Sequence, residues 1–281
     1  MPGTFWSALG AELAQAVSPP YLIPSTVTSN ATIMAIAWFW LPRDWSFTIT
    51  SPLAFPMVLA SWMYADVPST NVLATDRVRV LQAMDDRAML NRLLAAKAAV
   101  LWLFVAPFCS VLAVIEGFSH HDMVTLVTAV VAICVIPVGC LPVAALIGIR
   151  WPYHPLQIRY RWEHRQPIGR MIIRWAILTL VPYVVVPVLA IAMMVPAIVV
   201  LLRAHEGNSH VVNFVNAFGK DFGIHVTVGN RPMSTSMFIL CVVITCIVSM
   251  LTWRLGRMAN LRLIRRRREP LTEWLSDPTM G

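Results

Sequence analysis

Residues 123–149 read MVTLVTAVVAICVIPVGCLPVAALIGI. The run contains no Asp, Glu, Lys or Arg, and a stretch of about 18 or more predominantly apolar residues is enough to read a transmembrane helix. Pro137, Gly139 and Pro142 interrupt it. Such breakers are tolerated in a membrane helix when neighbouring helices satisfy the backbone groups they set free. The polar turn EGFSHHD precedes the run at 116–122, and Arg150 follows it.

Working outward, five more apolar runs have comparable character: Thr26–Leu41, Ile49–Tyr64 with Pro52 and Pro56, Leu93–Ile115, Met171–Leu202 with Pro182, Pro187 and Pro196, and Thr235–Trp253. The sequence therefore predicts an all-α membrane protein of about six transmembrane helices. Composition agrees. Of the 281 residues, 58% are hydrophobic and 13% charged, against about 45–50% and 25% in ordinary soluble domains. The mean hydropathy is +0.67. The N-terminal residues show no basic stretch ahead of an apolar core, so the first span is expected to direct insertion.

Between the runs the chain changes character. Phe5, Trp6, Leu9, Leu13 and Val17 recur at helical spacing ahead of Pro19 and Pro20, which predicts a short amphipathic helix, either lying at the membrane interface or a simple surface helix of no special role. Residues 65–92 mix acids, arginines and spaced apolar residues. Asp76 is placed to cap a short helix with Val78, Leu81 and Met84 on one side, and Asp85 or Asp86 to cap the next. Lys97 then lies in the first turns of a span, where its ammonium is expected to snorkel to the headgroups. In the long polar segment 203–234, Val211, Val212, Phe214, Val215 and Phe218 mark an apolar piece too short to span, read as re-entrant or interfacial. Three units follow: an N-terminal segment 1–25, a six-helix domain 26–256 and a basic tail 257–281.

Charge fixes an orientation. The formal net charge is +8. The arginines concentrate at 65–92, at 150–170 and in the tail, while 42–46, 116–122 and 203–234 are poorer in them. Cytoplasmic flanks are the basic ones, so six spans place both termini in the cytoplasm. The same distribution makes the basic character a topology signal, and nucleic acid is not an expected partner. Arg159, Arg161, Arg165 and Arg170 form a cytoplasmic basic loop suited to anionic lipid headgroups.

Several chemistries lack their residues. There is no G-x-x-x-x-G-K-[ST] loop for ATP, and no H-E-x-x-H or G-x-S-x-G. The spans carry almost none of the buried ionisable groups with which ion-coupled transporters hold their ions. The five cysteines all lie in apolar runs and read as small hydrophobes. His120, His121 and Asp122, and likewise His205, His210 and His225, read as solvated side chains, not metal ligands. Glu163, His164 and His154 are the nearest approach to an enzyme's polar cluster and form no recognisable set. Neither a metal nor a cofactor is expected in this chain.

Two local patterns carry a family resemblance. DRVRVLQAMDDRAMLNRLLAAKAAV (76–100) is similar to a coupling segment in which a short charged helix leads through a break into a helix of the L-L-x-x-K kind, matched by Leu93, Leu94 and Lys97. GCLPVAALIGIRWPYHP (139–155) is similar to the Gly-rich fourth span ending in a Pro-Tyr-x-Pro turn of some actinobacterial permeases, matched by Pro152, Tyr153 and Pro155. With the layout over about residues 20–260, the chain resembles the permease subunit of ABC-2 type transporters. That resemblance implies a plasma-membrane exporter subunit, itself no enzyme, driven by a partner ATPase that binds ATP and paired with a second permease, identical or different. It makes Asp76, Arg77, Arg79, Asp85, Asp86 and Arg87 the expected ATPase-coupling loop. The sparse intramembrane charge favours an apolar or amphipathic cargo. The competing readings are an ATP-independent transporter, a membrane-embedded enzyme and a membrane scaffold.

Overall fold

The computed structural model describes residues 4–19, 21–40, 54–65, 67–120, 123–152, 168–204 and 235–277. Among them there is no strand. The helices are α1 (Phe5–Ala16), α2 (Leu22–Trp40), α3 (Ala54–Tyr64), α4 (Val67–Thr70), α5 (Arg77–Ala83), α6 (Arg87–His120), α7 (Met123–Cys134), α8 (Ile136–Arg150), α9 (Ile168–Ala204), α10 (Thr235–Arg266) and α11 (Arg268–Ser276). A single 3₁₀ turn, Ala74–Asp76, leads into α5.

Among the described residues five stretches are long and apolar enough to cross a membrane: Leu22–Trp40, Arg87–Phe118, Leu126–Arg150, Ile172–Pro196 and Thr235–Arg266. The run expected as the second span enters the described residues only at Ala54, as the 11-residue α3. Large apolar side chains face outward along these helices, among them Phe39, Val111, Leu180, Val184, Ile247 and Leu255. In water each would forgo about 1.5–3 kcal/mol of burial; in lipid the exposure is what a spanning helix requires. The chain is a multi-pass membrane protein.

The centre of the bundle is α8, which lies against α10 along much of its length and also meets α9 and α4. Glycine lets the backbones approach. A Cβ at Gly148 would collide with the Thr70 carbonyl, and one at Gly139 would stand 2.8 Å from Met193 Sδ and 3.0 Å from the Ser249 carbonyl oxygen. Small residues at helix interfaces serve this purpose in membranes, where no hydrophobic force separates helix from lipid.

The run that opened the sequence analysis is not one helix. It divides at Val135 into α7 and α8. Pro137 has no N–H and its ring displaces the preceding turn. The neighbouring helices mend the break. Ser249 of α10 donates its hydroxyl to the Val135 carbonyl (2.6 Å) and accepts from the Gly139 N–H (3.1 Å), standing between two groups that a regular helix would join directly. Trp102 of α6 donates its indole N–H to the Cys134 carbonyl at 2.8 Å. Further along, Asn260 of α10, itself buried, donates to the Pro142 carbonyl at 2.9 Å. At the break, the carbonyls set free thus have named donors in Ser249 and Trp102.

The last spanning helix also runs further than its apolar pattern. It continues from Trp253 through the arginines to Arg266, and α11 follows. The spacing Leu261, Ile264 supplies a buried stripe that carries the helix beyond the lipid-facing part.

Candidate functional site at the charged end of the bundle

One end of the bundle gathers α1, α5, the start of α6, the end of α8 and α11. The apolar faces of α5, α6, α8 and α11 form one cluster that includes Val80, Ala83, Leu90, Ile149, Leu271 and Trp274.

The sequence builds α5 in a simple way. Asp76 is its N-cap, and the carboxylate accepts from the Arg79 N–H at 3.3 Å. Val80 and Ala83 turn inward, while Arg77 and Val78 face outward, Val78 at 58% exposure. A two-residue step ends the helix, and Asp86 starts the next: its carboxylate accepts from the Ala88 N–H at 2.8 Å. Of the two caps offered by the sequence for α6, Asp86 is used. Asp85 is exposed and pairs instead with Arg268 of α11. Arg87 is exposed in the first turn of α6.

α1 lies along α6. A reciprocal cap starts it: Ser7 N–H donates to Thr4 Oγ1 (3.3 Å), and Thr4 N–H donates to Ser7 Oγ (3.2 Å). The side of α1 that packs inward is Ala8, Glu12 and Ala16, spaced four apart, while Trp6 is 76% exposed and Leu13 and Val17 are exposed too. Of the large residues of the expected amphipathic helix, Trp6, Leu13 and Val17 therefore face outward, as an interfacial helix presents them to lipid, while Phe5 and Leu9 are half-buried.

Glu12 is the unforeseen residue. Its side chain is only 6% exposed, and its two oxygens meet two cations: Lys97 Nζ at 3.0 Å and Arg79 Nη1 at 3.3 Å. Arg79 Nε also lies 3.1 Å from Asp76 Oδ2. Two acids and two bases thus form a charge-balanced group joining α1, α5 and α6. A charge taken out of water is tolerated when it is paired and hydrogen-bonded. Lys97 accordingly does not snorkel. Its side chain is 8% exposed, because a carboxylate supplied by α1 neutralises it in place.

Of the six expected coupling residues, Asp76 and Arg79 act within the fold, Asp86 starts a helix, Asp85 is held by the tail, and Arg77 and Arg87 project free of the core. Arg159, Arg161 and Arg165 lie outside the described residues, and Arg170 lies in the first turn of α9. The expected re-entrant piece around 211–218, the histidines at 121, 154, 164, 205, 210 and 225, and Glu163 also lie outside them. Among the described residues no group of His, Cys, Asp or Glu is placed to hold a metal ion.

Two signals could have pointed to the missed contacts. Glu12 is the only acidic residue before Asp44, and it interrupts the small-residue stripe of an otherwise uncharged helix. Leu271, Trp274 and Leu275 follow the i, i+3, i+4 rule, the mark of a tail helix with a face to bury. No protein-family model, no curated protein and no solved structure matches the chain.

Proposed function

We propose that this chain is the permease subunit of an ATP-driven exporter of the ABC-2 type, in which a separate ATPase moves the helix bundle by pressing on α5. The observation that carries the reading is the construction of the charged end. α5 is a short capped helix, tied by the Glu12–Lys97–Arg79 group and by α11 to the start of the long α6. It offers Arg77 and Val78 outward, and the first turn of α6 offers Arg87 beside them. Force applied to such an element passes into α6 as a whole and is not absorbed by a loose loop. Rigid-body movement of packed helices is the usual form of such a switch.

The rest of the proposal follows the same resemblance. The charged end and both termini are cytoplasmic, the membrane is the plasma membrane, and a second permease covers part of the outward apolar surface. ATP is bound by the partner, since this chain has no phosphate loop. No charged residue occurs at 98–115 or 123–149, which favours an apolar or amphipathic substrate.

The test is to purify the full chain from its native membrane in mild detergent, identify what accompanies it and measure ATP hydrolysis. The expected result is a stoichiometric ATP-binding subunit that is lost from the Arg77→Ala/Arg87→Ala variant while the permease stays folded. Folded protein with no such subunit and no ATP hydrolysis sinks the exporter reading and leaves an ATP-independent transporter or a scaffold.

A further inference from the structure

A second feature of the charged end plays no part in the coupling argument. Between the end of α8, the start of α9 and α11 lies a cavity of about 200 Å³. Its walls include Arg150, Trp151, Arg174, Arg267, Pro270 and Trp274, and no described residue lining it is acidic. Arg267 is fixed at its mouth. One of its guanidinium nitrogens donates to the carbonyls of Ile149 (3.0 Å) and Arg150 (2.7 Å) at the end of α8. Arg150 stacks on Trp151, 5.3 Å from the ring centre. Arg174 has its Nη1 buried with no hydrogen-bond partner among the described residues.

Three guanidiniums with no carboxylate among the described lining residues repel one another. Burial, and next the Arg150 charge, hold Arg267 below the usual arginine range. A buried guanidinium nitrogen left unpaired carries the desolvation penalty of a charged donor. An anion with several oxygens removes both penalties at once, and arginine's fork matches phosphate in geometry. The volume falls below the roughly 300–1,000 Å³ of drug-sized sites, so a small group fits and a large ligand does not. The setting adds the depth. Ile173 and Trp175, on either side of Arg174, are exposed on the lipid-facing surface of α9, and two tryptophans line the cavity, as expected at headgroup level.

We propose that Arg150, Arg174 and Arg267 bind a phosphate group at the membrane surface. Their binding of phosphate does not depend on the exporter reading. Two sources supply that chemistry, a phospholipid headgroup and free phosphate.

The experiment uses the full chain in detergent and follows its apparent melting midpoint with two probes, short-chain phosphatidylglycerol and inorganic phosphate, with phosphatidylcholine, a zwitterion of no net charge, as the reference. Native mass spectrometry counts retained lipid on the same samples. The expected result is a rise of about 5 °C with one anionic probe, of the size saturating ligands give. A rise with phosphatidylglycerol alone, with retained lipid, identifies the headgroup; a rise with inorganic phosphate as well identifies a soluble anion. In Arg174→Gln/Arg267→Gln the binding weakens about tenfold or more, from the loss of charge-assisted hydrogen bonds. Arg174→Lys keeps the charge, loses the fork and falls between the two; it also serves if the double variant fails to fold. No response of the wild type to either anionic probe beyond phosphatidylcholine, or an equal response in Arg174→Lys and the wild type, overturns the proposal.

Discussion

The charged end and the break in the central helix solve the same problem differently. Both hold polar groups away from water. At the charged end, Glu12 brings a full negative charge to Lys97 and Arg79, and the group joins three helices. At the break between α7 and α8, one neutral hydroxyl, Ser249, replaces a lost backbone hydrogen bond. Ions serve near the ends of helices, where part of each group still reaches solvent: Arg79 is 39% exposed. At the break the donors are neutral, a hydroxyl and an indole N–H, because a buried ion is far more costly than an unmet carbonyl. The two devices should therefore fail by different amounts, and in different ways.

The largest effect is expected at Glu12. Glu12→Gln leaves the Lys97 ammonium buried opposite a neutral amide. Removing one partner of a buried pair costs about 3–5 kcal/mol. The expected result is a large drop in denaturant resistance, with α1 cut early by limited proteolysis. Glu12→Leu/Lys97→Leu removes both charges together and should recover most of the loss, since an apolar pair of similar volume is often as stable as the ions it replaces. A double variant as unstable as the sum of its singles would show that the ions do not act as a pair.

Ser249→Ala should cost less, about 1–2 kcal/mol, the range found for hydrogen bonds between membrane helices. It removes a donor for Val135 and an acceptor for Gly139 in one step. Ser249→Thr keeps the hydroxyl and is the natural control. Its extra methyl meets a crowded wall, since even a Cβ at Gly139 would lie 3.1 Å from the Ser249 hydroxyl. Hydrogen exchange at 135–139 is the measurement. Faster exchange in the alanine variant, confined to that turn, separates a local mending role from a global one. Unchanged exchange would mean that the bridge carries no weight.

How far the sequence could be read follows the same division. Helices are written in long apolar runs, and α2, α6, α9 and α10 appear where their runs are. The Asp76 and Asp86 caps were legible as well, because capping depends only on neighbours in sequence. The break at Val135 was visible as Pro137 and Gly139, but Ser249, more than a hundred residues away, was not. No local rule selects which serine of α10 meets that turn. The Glu12–Lys97 pair is hidden for the same reason. Each residue alone reads as a solvated charge near an interface, and only the packing of α1 along α6 brings them together. The arginine cavity is harder still. Arg150, Arg174 and Arg267 come from three separate segments, the start of the basic loop 150–170, the fifth apolar run and the basic tail, and their convergence is a property of the fold.

The smallest expected change sharpens the comparison from the exposed side. Asp85 and Arg268 pair across α5 and α11 with side chains 73% and 56% exposed. Such pairs contribute about 0–1 kcal/mol, so Arg268→Ala should barely move the melting midpoint. The docking of α11 rests instead on Leu271, Trp274 and Leu275, which are buried against α5 and its neighbours. If the pair has a role beyond stability, it lies in what it covers. With Arg268 removed, Asp85 is freed on the face offered to a partner. Arg268→Ala should then alter capture of the proposed ATPase while leaving stability untouched, whereas Trp274→Ala should lower stability through the lost apolar contact. A large loss of stability in Arg268→Ala would mean that this surface pair behaves like the buried Glu12 group, and that the contrast between the two ends of the exposure scale is wrong.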